Sequence, residues 1–332
     1  MRHGVHFDLR HAHERGHLAP LRRRLPAQLA GKPEVASVEV MPDTRPPVRG
    51  AWNIQVFHGL GDKGYTGNPI FLQKGRWPRL RTAANMVARS LRLPGPFLRP
   101  PERPGRRPSV YEQVNAYGPR FKDRFEDMLD DVVISTFGHI ALNEQARFRV
   151  DPDGPLLWMP TWDNRRYLGG PNQSSLGPFA HEVALASRHV PVRVKLHPLS
   201  LRHDQDVAAR TELERAEGVD LVPADADPYG LLDGCRGLLT DSSSLGFEAY
   251  CMGVPVAIAI PNGVRPRGLH AELAERTHVL HSGKPDLLGW AEAPRYPGDK
   301  AWARDLLYAP SPSQNDAFAA DVRRLVAERR PT

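Results

Sequence analysis

Short apolar runs alternate with helix-period segments along almost the whole chain, a rhythm that predicts an α/β protein with parallel sheets. In the first half, runs at 5–9, 35–41, 54–57, 110–116 and 132–135 read as strands. Helical patterns fall between them near 17–30, 79–92 and 119–129. A second series of strands reads at 156–159, 192–196, 219–222, 237–240 and 256–260, with helices at 178–188, 204–217, 243–252 and 313–329. The stretch 94–108 carries six prolines, too many for a helix or a central strand, so it is expected as a surface loop. Residues 150–155 (Val-Asp-Pro-Asp-Gly-Pro) have the turn chemistry of a linker. No solenoid repeat is visible. The expectation is two Rossmann-like, doubly wound domains with a cleft between them, spanning 1–149 and 150–312. A final helix at 313–332 is expected to cross back to the first domain.

A length of 332 residues suits two domains. With 40% hydrophobic and 25% charged residues the chain is ordinary for a globular protein, which argues against wholesale disorder. No run approaches the ~18 apolar residues of a membrane span. The opening residues lack the apolar core of a signal peptide, so the cytoplasm is the expected compartment. Cys235 and Cys251 have no CxxC spacing and read as buried packing residues. Lys and Arg outnumber Asp and Glu by 45 to 38. Residues 76–107 alone hold nine arginines against the single acid Glu102. Such a segment is either a solvated face or an attraction for anionic polymers and lipid heads.

Candidate chemistry gathers where strands end. After 237–240 comes Asp241-Ser242-Ser243-Ser244 and then a helix. Strand-to-helix turns of this kind bind ligands beyond the carboxyl edge of a sheet, with helix-start amides and serine hydroxyls forming an anion site. The same residues also serve as helix caps. His197 follows the strand at 192–196 and is followed by Pro198. It can donate to a phosphate oxygen. His58 follows the strand at 54–57 in His58-Gly59-Leu60-Gly61-Asp62-Lys63-Gly64. Its glycines permit close backbone approach to a ligand, and an imidazole titrating near neutrality can take a hydroxyl proton. Pro160-Thr161-Trp162 closes the first strand of the second series.

In this order the segments resemble the CDP-glycerol glycerophosphotransferase family, which builds teichoic-acid-type polymers. The resemblance runs over about 52–260 and rests on five matches. These are His58, Gly59 and Lys63; Pro160, Thr161 and Trp162; Lys195, His197 and Pro198; Thr240, Asp241, Ser243 and Ser244; and Phe247, Glu248, Gly253, Pro255 and Val256. Met159 and Ser242 stand where the family has alanine and tyrosine. The family's arginine after the threonine-aromatic pair is Asp163 here. Its glycine-x-proline-x-x-aspartate survives as Gly138 to Asn143, with Ile140 for proline and Asn143 for aspartate.

The resemblance implies a GT-B fold and a transferase that moves glycerol phosphate, or a related polyol phosphate, from a CDP-activated donor to an acceptor hydroxyl. CMP is released, in the service of cell-envelope polymer synthesis. In that scheme His58 is the general base and Lys63 neutralises the transferred phosphate. His197, Ser243 and Ser244 hold the diphosphate, Thr161, Thr240 and Asp241 complete the site, and Glu248 contacts the ribose. Neither a metal nor another cofactor is implied. The acceptor is a polyol phosphate or a lipid-linked chain, and the arginine-rich segment suits a peripheral position at an anionic membrane face. Nucleotide-sugar transferases and UDP-sugar 2-epimerases share the serine-bearing turn and stand as the alternative. A non-catalytic basic binding protein is a further one, although no nucleic-acid motif is recognisable and no nucleic-acid partner is expected. The histidines His3, His6, His11, His13 and His17 fit no standard zinc spacing.

Overall fold

The computed structural model describes residues 4–7, 12–29, 36–41, 47–56, 106–145, 147–163, 172–202, 206–283 and 285–329. The expected helix near 79–92, most of the proline-rich loop, and His58 and Lys63 lie outside the described residues. The chain forms two compact units: one holds the described residues before 147 and those from Lys300 onward, the other those of 147–299.

The first unit is built on a sheet of β1 (Val5–Phe7), β2 (Val38–Met41), β3 (Trp52–Gln55), β5 (Gln113–Asn115) and β7 (Val133–Ser135). Its strands are all parallel and lie in chain order. Helix α1 (Ala12–Arg23) sets Leu18 and Leu21 against Val5, Val38, Val40, Ile54 and Val56. The predicted proline-rich loop enters the described residues at β4 (Arg107–Pro108), an exposed two-residue strand that pairs with β6 (Leu129–Asp130). Helix α2 (Pro119–Met128) starts with proline at its first turn, where no amide is needed, and buries Phe121, Phe125 and Met128 along one stripe.

The second unit opens with residues 149–155, which are docked on their own unit: the Arg149 amide donates to Asp233 (2.7 Å) and the Gly234 amide to the Arg149 carbonyl (2.8 Å). Its strands and helices alternate as β8 (Leu156–Met159), α3 (Leu176–Ala186), β9 (Val192–Lys195), α4 (Val207–Arg215), β10 (Val219–Val222), α5 (Pro228–Leu232), β11 (Gly237–Thr240), α6 (Leu245–Cys251), β12 (Val256–Ile260), α7 (Leu269–Ala274), β13 (His278–His281) and α8 (Leu287–Glu292). The sheet is wholly parallel in the order β10-β9-β8-β11-β12-β13. Counted from β8, that is 3-2-1-4-5-6, the doubly wound order whose direction reverses between its first and fourth strands. Trp158, Phe179, Val183, Val192, Val194, Leu239, Ala257 and Leu280 form its core.

Beyond Asp299 the chain belongs to the first unit again. Helix α9 (Lys300–Leu306) lies against α2, with Arg120 paired to Asp305 (2.6 Å) and the Tyr308 amide donating to the Tyr117 carbonyl (2.8 Å). Gly118 makes this approach possible, because a Cβ there would overlap the Leu306 backbone carbonyl. Helix α10 (Pro312–Glu328) buries Phe318, Ala319, Val322, Leu325 and Val326 in the first unit's core.

Candidate functional site

The reversal between β8 and β11 leaves two strand ends whose following loops diverge, and the serine turn lies there. Thr240 is fully buried and its hydroxyl donates to the Met159 carbonyl (2.8 Å), tying the two strand ends together. Asp241, 2% exposed, is occupied by protein donors: the Thr161 amide (3.0 Å), the Ser175 amide (2.7 Å) and the Ser175 hydroxyl (2.8 Å). The Ser174 hydroxyl donates to the Thr161 carbonyl (2.6 Å) and accepts from the Leu176 amide (3.2 Å). Asp241 thereby fixes the end of β8 and the start of α3 at the switch point. Sequence reasoning missed Ser174 and Ser175, which lie far from the motifs in sequence; an Asn-Gln-Ser-Ser run before a helix was the available signal.

The next three residues behave differently. Ser242, Ser243 and Ser244 are half-buried. The amides at the start of α6, expected to face a ligand, are satisfied within the turn. Leu245 donates to Ser243 Oγ (3.3 Å), Gly246 to the Ser243 carbonyl (3.3 Å), and Phe247 and Glu248 to the Ser244 carbonyl (3.0 and 3.4 Å). The donors shift one step back. Among the described residues, the amides of Ser242, Ser243 and Ser244 and the hydroxyls of Ser242 and Ser244 make no hydrogen bond. Gly246 lets α6 settle onto this edge, since a Cβ there would press on Thr240 Cγ2.

Other predicted residues lie on elements of the same unit, each with its own partners. His197 follows β9, the neighbour of β8, and its Nδ1 accepts from the Leu199 amide (3.1 Å), which assigns the ring proton to Nε2. Its ring lies 6.1 Å from that of Trp162, which follows β8. Lys195 is held elsewhere, donating to the Ala224 carbonyl (2.9 Å), and burial pulls its ammonium below the ordinary lysine range. Glu248 is buried on α6 and accepts from the Tyr229 hydroxyl (3.0 Å). His270, which sequence reasoning did not single out, presents Nε2 to the Ser242 carbonyl (3.1 Å) and its ring edge to Phe247 (centroids 4.9 Å). It braces the turn from α7.

The departures from the family pattern also have a place. Asn143 is fully buried and donates to the Phe137 carbonyl (2.7 Å) and to Asn315 Oδ1 (3.0 Å), linking the residues after β7 to α10. A carboxylate would set oxygens against both partners. Asp163 is buried. Of the N-terminal histidines, His6 pairs with Glu39 (2.6 Å) and His17 with the Tyr117 hydroxyl (3.2 Å). No described cluster of His, Cys, Asp and Glu has the makings of a metal site, and no described helix is long and apolar enough to cross a membrane.

No family model and no curated protein matches the chain. Solved structures do. The wall teichoic acid polymerase TagF superposes over 99% of this chain and 90% of its own, with a TM-score of 0.59 at 11% identity. A variant of TagF gives 0.62 at 10% identity over 98% and 89% of the two chains. The same variant after a CDPG soak gives 0.61 at 11% identity over 98% and 90%. Likeness at this identity is likeness of fold. The chain has the two-domain, Rossmann-like α/β fold of the GT-B type.

Proposed function

We propose that the protein is a transferase that moves a glycerol-phosphate or related polyol-phosphate unit from a CDP-activated donor to an acceptor hydroxyl. One observation carries the reading: at the switch point of a 3-2-1-4-5-6 sheet, three successive amides and two hydroxyls of the 242–244 turn have no acceptor among the described residues. A diphosphate supplies acceptors for such donors. The ordered motif resemblance and the fold likeness to TagF support the CDP-linked donor.

In the reaction the acceptor oxygen bonds to the donor's distal phosphorus as the bond from that phosphorus to the CMP oxygen breaks. CMP leaves with the electron pair, and the acceptor's proton passes to His58. Alignment and charge stabilisation supply the catalysis. Ser243, Ser244 and His197 steady the diphosphate, His270 braces the turn, and Lys63 offsets charge on the transferred phosphate. Thr161, Thr240 and Asp241 act by holding the two strand ends. Glu248 contacts the ribose beside Tyr229. The arginines of 76–107 recruit the enzyme to an anionic membrane face carrying the acceptor.

The test is a panel of CDP-glycerol, CDP-ribitol and UDP-sugars with polyol-phosphate acceptors, read by nucleotide release. Acceptor-dependent CMP release is expected. Release of UDP in its place would assign the protein to the nucleotide-sugar enzymes.

A further inference from the structure

The carbonyls of Ser242, Ser243 and Ser244 all have protein donors, whereas their amides have no acceptor among the described residues. For two of the carbonyls the donors come from α6 itself: Gly246 serves Ser243 (3.3 Å), and Phe247 and Glu248 serve Ser244 (3.0 and 3.4 Å). The Ser242 carbonyl lies one step too far back for this. The first amides of α6, those of Leu245 and Gly246, are taken by Ser243 Oγ and the Ser243 carbonyl. Its donor is instead a side chain of another helix, His270 Nε2 of α7, at 3.1 Å. A carbonyl only accepts, so the ring proton is on Nε2.

The packing of α7 on α6 sets the imidazole. Leu269 and Leu273 are buried, and an added Cβ at Gly246 of α6 would lie 3.3 Å from Leu273 Cδ2. His270 stands three positions before Leu273 and so shares its helix face, with the ring edge on Phe247 (centroids 4.9 Å). In a planar trans peptide the carbonyl and the amide that follows it point in opposite directions. With the Ser242 carbonyl held toward α7, the Ser243 amide is therefore turned away from α7. Ser243 is half-buried, and the amides of α6, satisfied within the turn, have no part in this.

We infer that His270 is a positioning residue for donor binding, its Nε2 proton fixing the Ser242–Ser243 peptide with the amide toward the donor's diphosphate. This deepens the proposed function and rests on the diphosphate seat assigned there. A peptide freed of that bond rotates about its two flanking single bonds and swings a carbonyl, which has no proton to offer a phosphate, toward the ligand. A donor fixed before the anion arrives costs no reorganisation on binding. His270 acts through the peptide and not by contact with the phosphates.

The experiment compares wild type with His270→Phe, which keeps a ring against Phe247 and removes the proton, and His270→Gln, whose side-chain amide restores an N–H donor. Affinities for CDP-glycerol and for inorganic pyrophosphate are measured by calorimetry. The expected result is a Kd for both ligands raised about tenfold in His270→Phe and within about threefold of wild type in His270→Gln. Equal affinity in wild type and His270→Phe overturns the inference. So does an equal loss in both variants, which would assign the effect to the ring, and so does failure of either to fold, which would assign the bond to stability. A measurement on wild type alone stands apart from the variants: pyrophosphate should move the Ser243 backbone amide proton downfield in NMR spectra of 15N-labelled protein. An unmoved Ser243 amide, or no pyrophosphate binding, overturns the inference. Failure of the functional reading is seen separately, as pyrophosphate binding that depends on His270 with no CMP release from CDP-glycerol.

Discussion

Asp241 and the serines after it were joined in one motif, yet they do different work. Asp241 accepts three protein hydrogen bonds while buried, so its carboxylate is a structural clamp at the switch point. Asp241→Ala strands those donors and should cost about 3 kcal/mol or more by urea unfolding, since several bonds to a buried charge are lost together. A variant with normal stability and only weakened donor binding would return Asp241 to the ligand. The residue types were legible from sequence, but which of them face a ligand depends on Ser175, 66 positions away, and no local pattern carries that. Asn143 makes the same point. Its amide donates to Phe137 and Asn315, so Asn143→Asp, which restores the family's residue type, should destabilise the chain by roughly 3 kcal/mol. An unchanged urea midpoint would mean that the aspartate finds other donors.

At the scale of elements, strands buried on both faces were the most legible: 156–159, 237–240 and 256–260 have the expected bounds because continuous apolar runs end in turn residues. Strand β13 was not legible. It is an edge strand with only Leu280 buried, too little hydrophobic signal to register. Helices α5, α7, α8 and α9 span five to seven residues each, under two turns, and so carry no 3.6-residue period. What positions α9 is a single glycine. Gly118→Ala should lower stability by about 2 kcal/mol, because the added methyl meets a backbone carbonyl that cannot rotate away. A Tm equal to that of wild type would show that α9 can shift without loss.

For the whole molecule, the alternation of strands and helices made the α/β architecture readable, whereas strand order was not in the sequence at all. The 3-2-1-4-5-6 arrangement, which locates the switch point, arises from long-range pairing. Stability against pH is likewise a property of the whole. Burial pushes the Cys235 thiol up to about 12 from an ordinary 9.0, and burial pushes the Tyr296 phenol up to about 12 from 10.0. Groups raised in the folded state keep their protons there while the unfolded chain loses them. Their contribution is full below pH 9 and fades as pH climbs toward 12. Tm should therefore fall over that window, less steeply in Cys235→Ala, and the Cys235 thiol should resist alkylation at pH 8. A flat profile to pH 11 would contradict this. The central claim, that the 242–244 turn seats a nucleotide diphosphate, is tested most directly by calorimetric titration of CDP-glycerol into wild type and the Ser243→Ala, Ser244→Ala double variant. Wild type is expected to bind, and a double variant that remains folded to lose affinity by about tenfold or more. Equal affinity in the two proteins, or no binding by wild type, would contradict it.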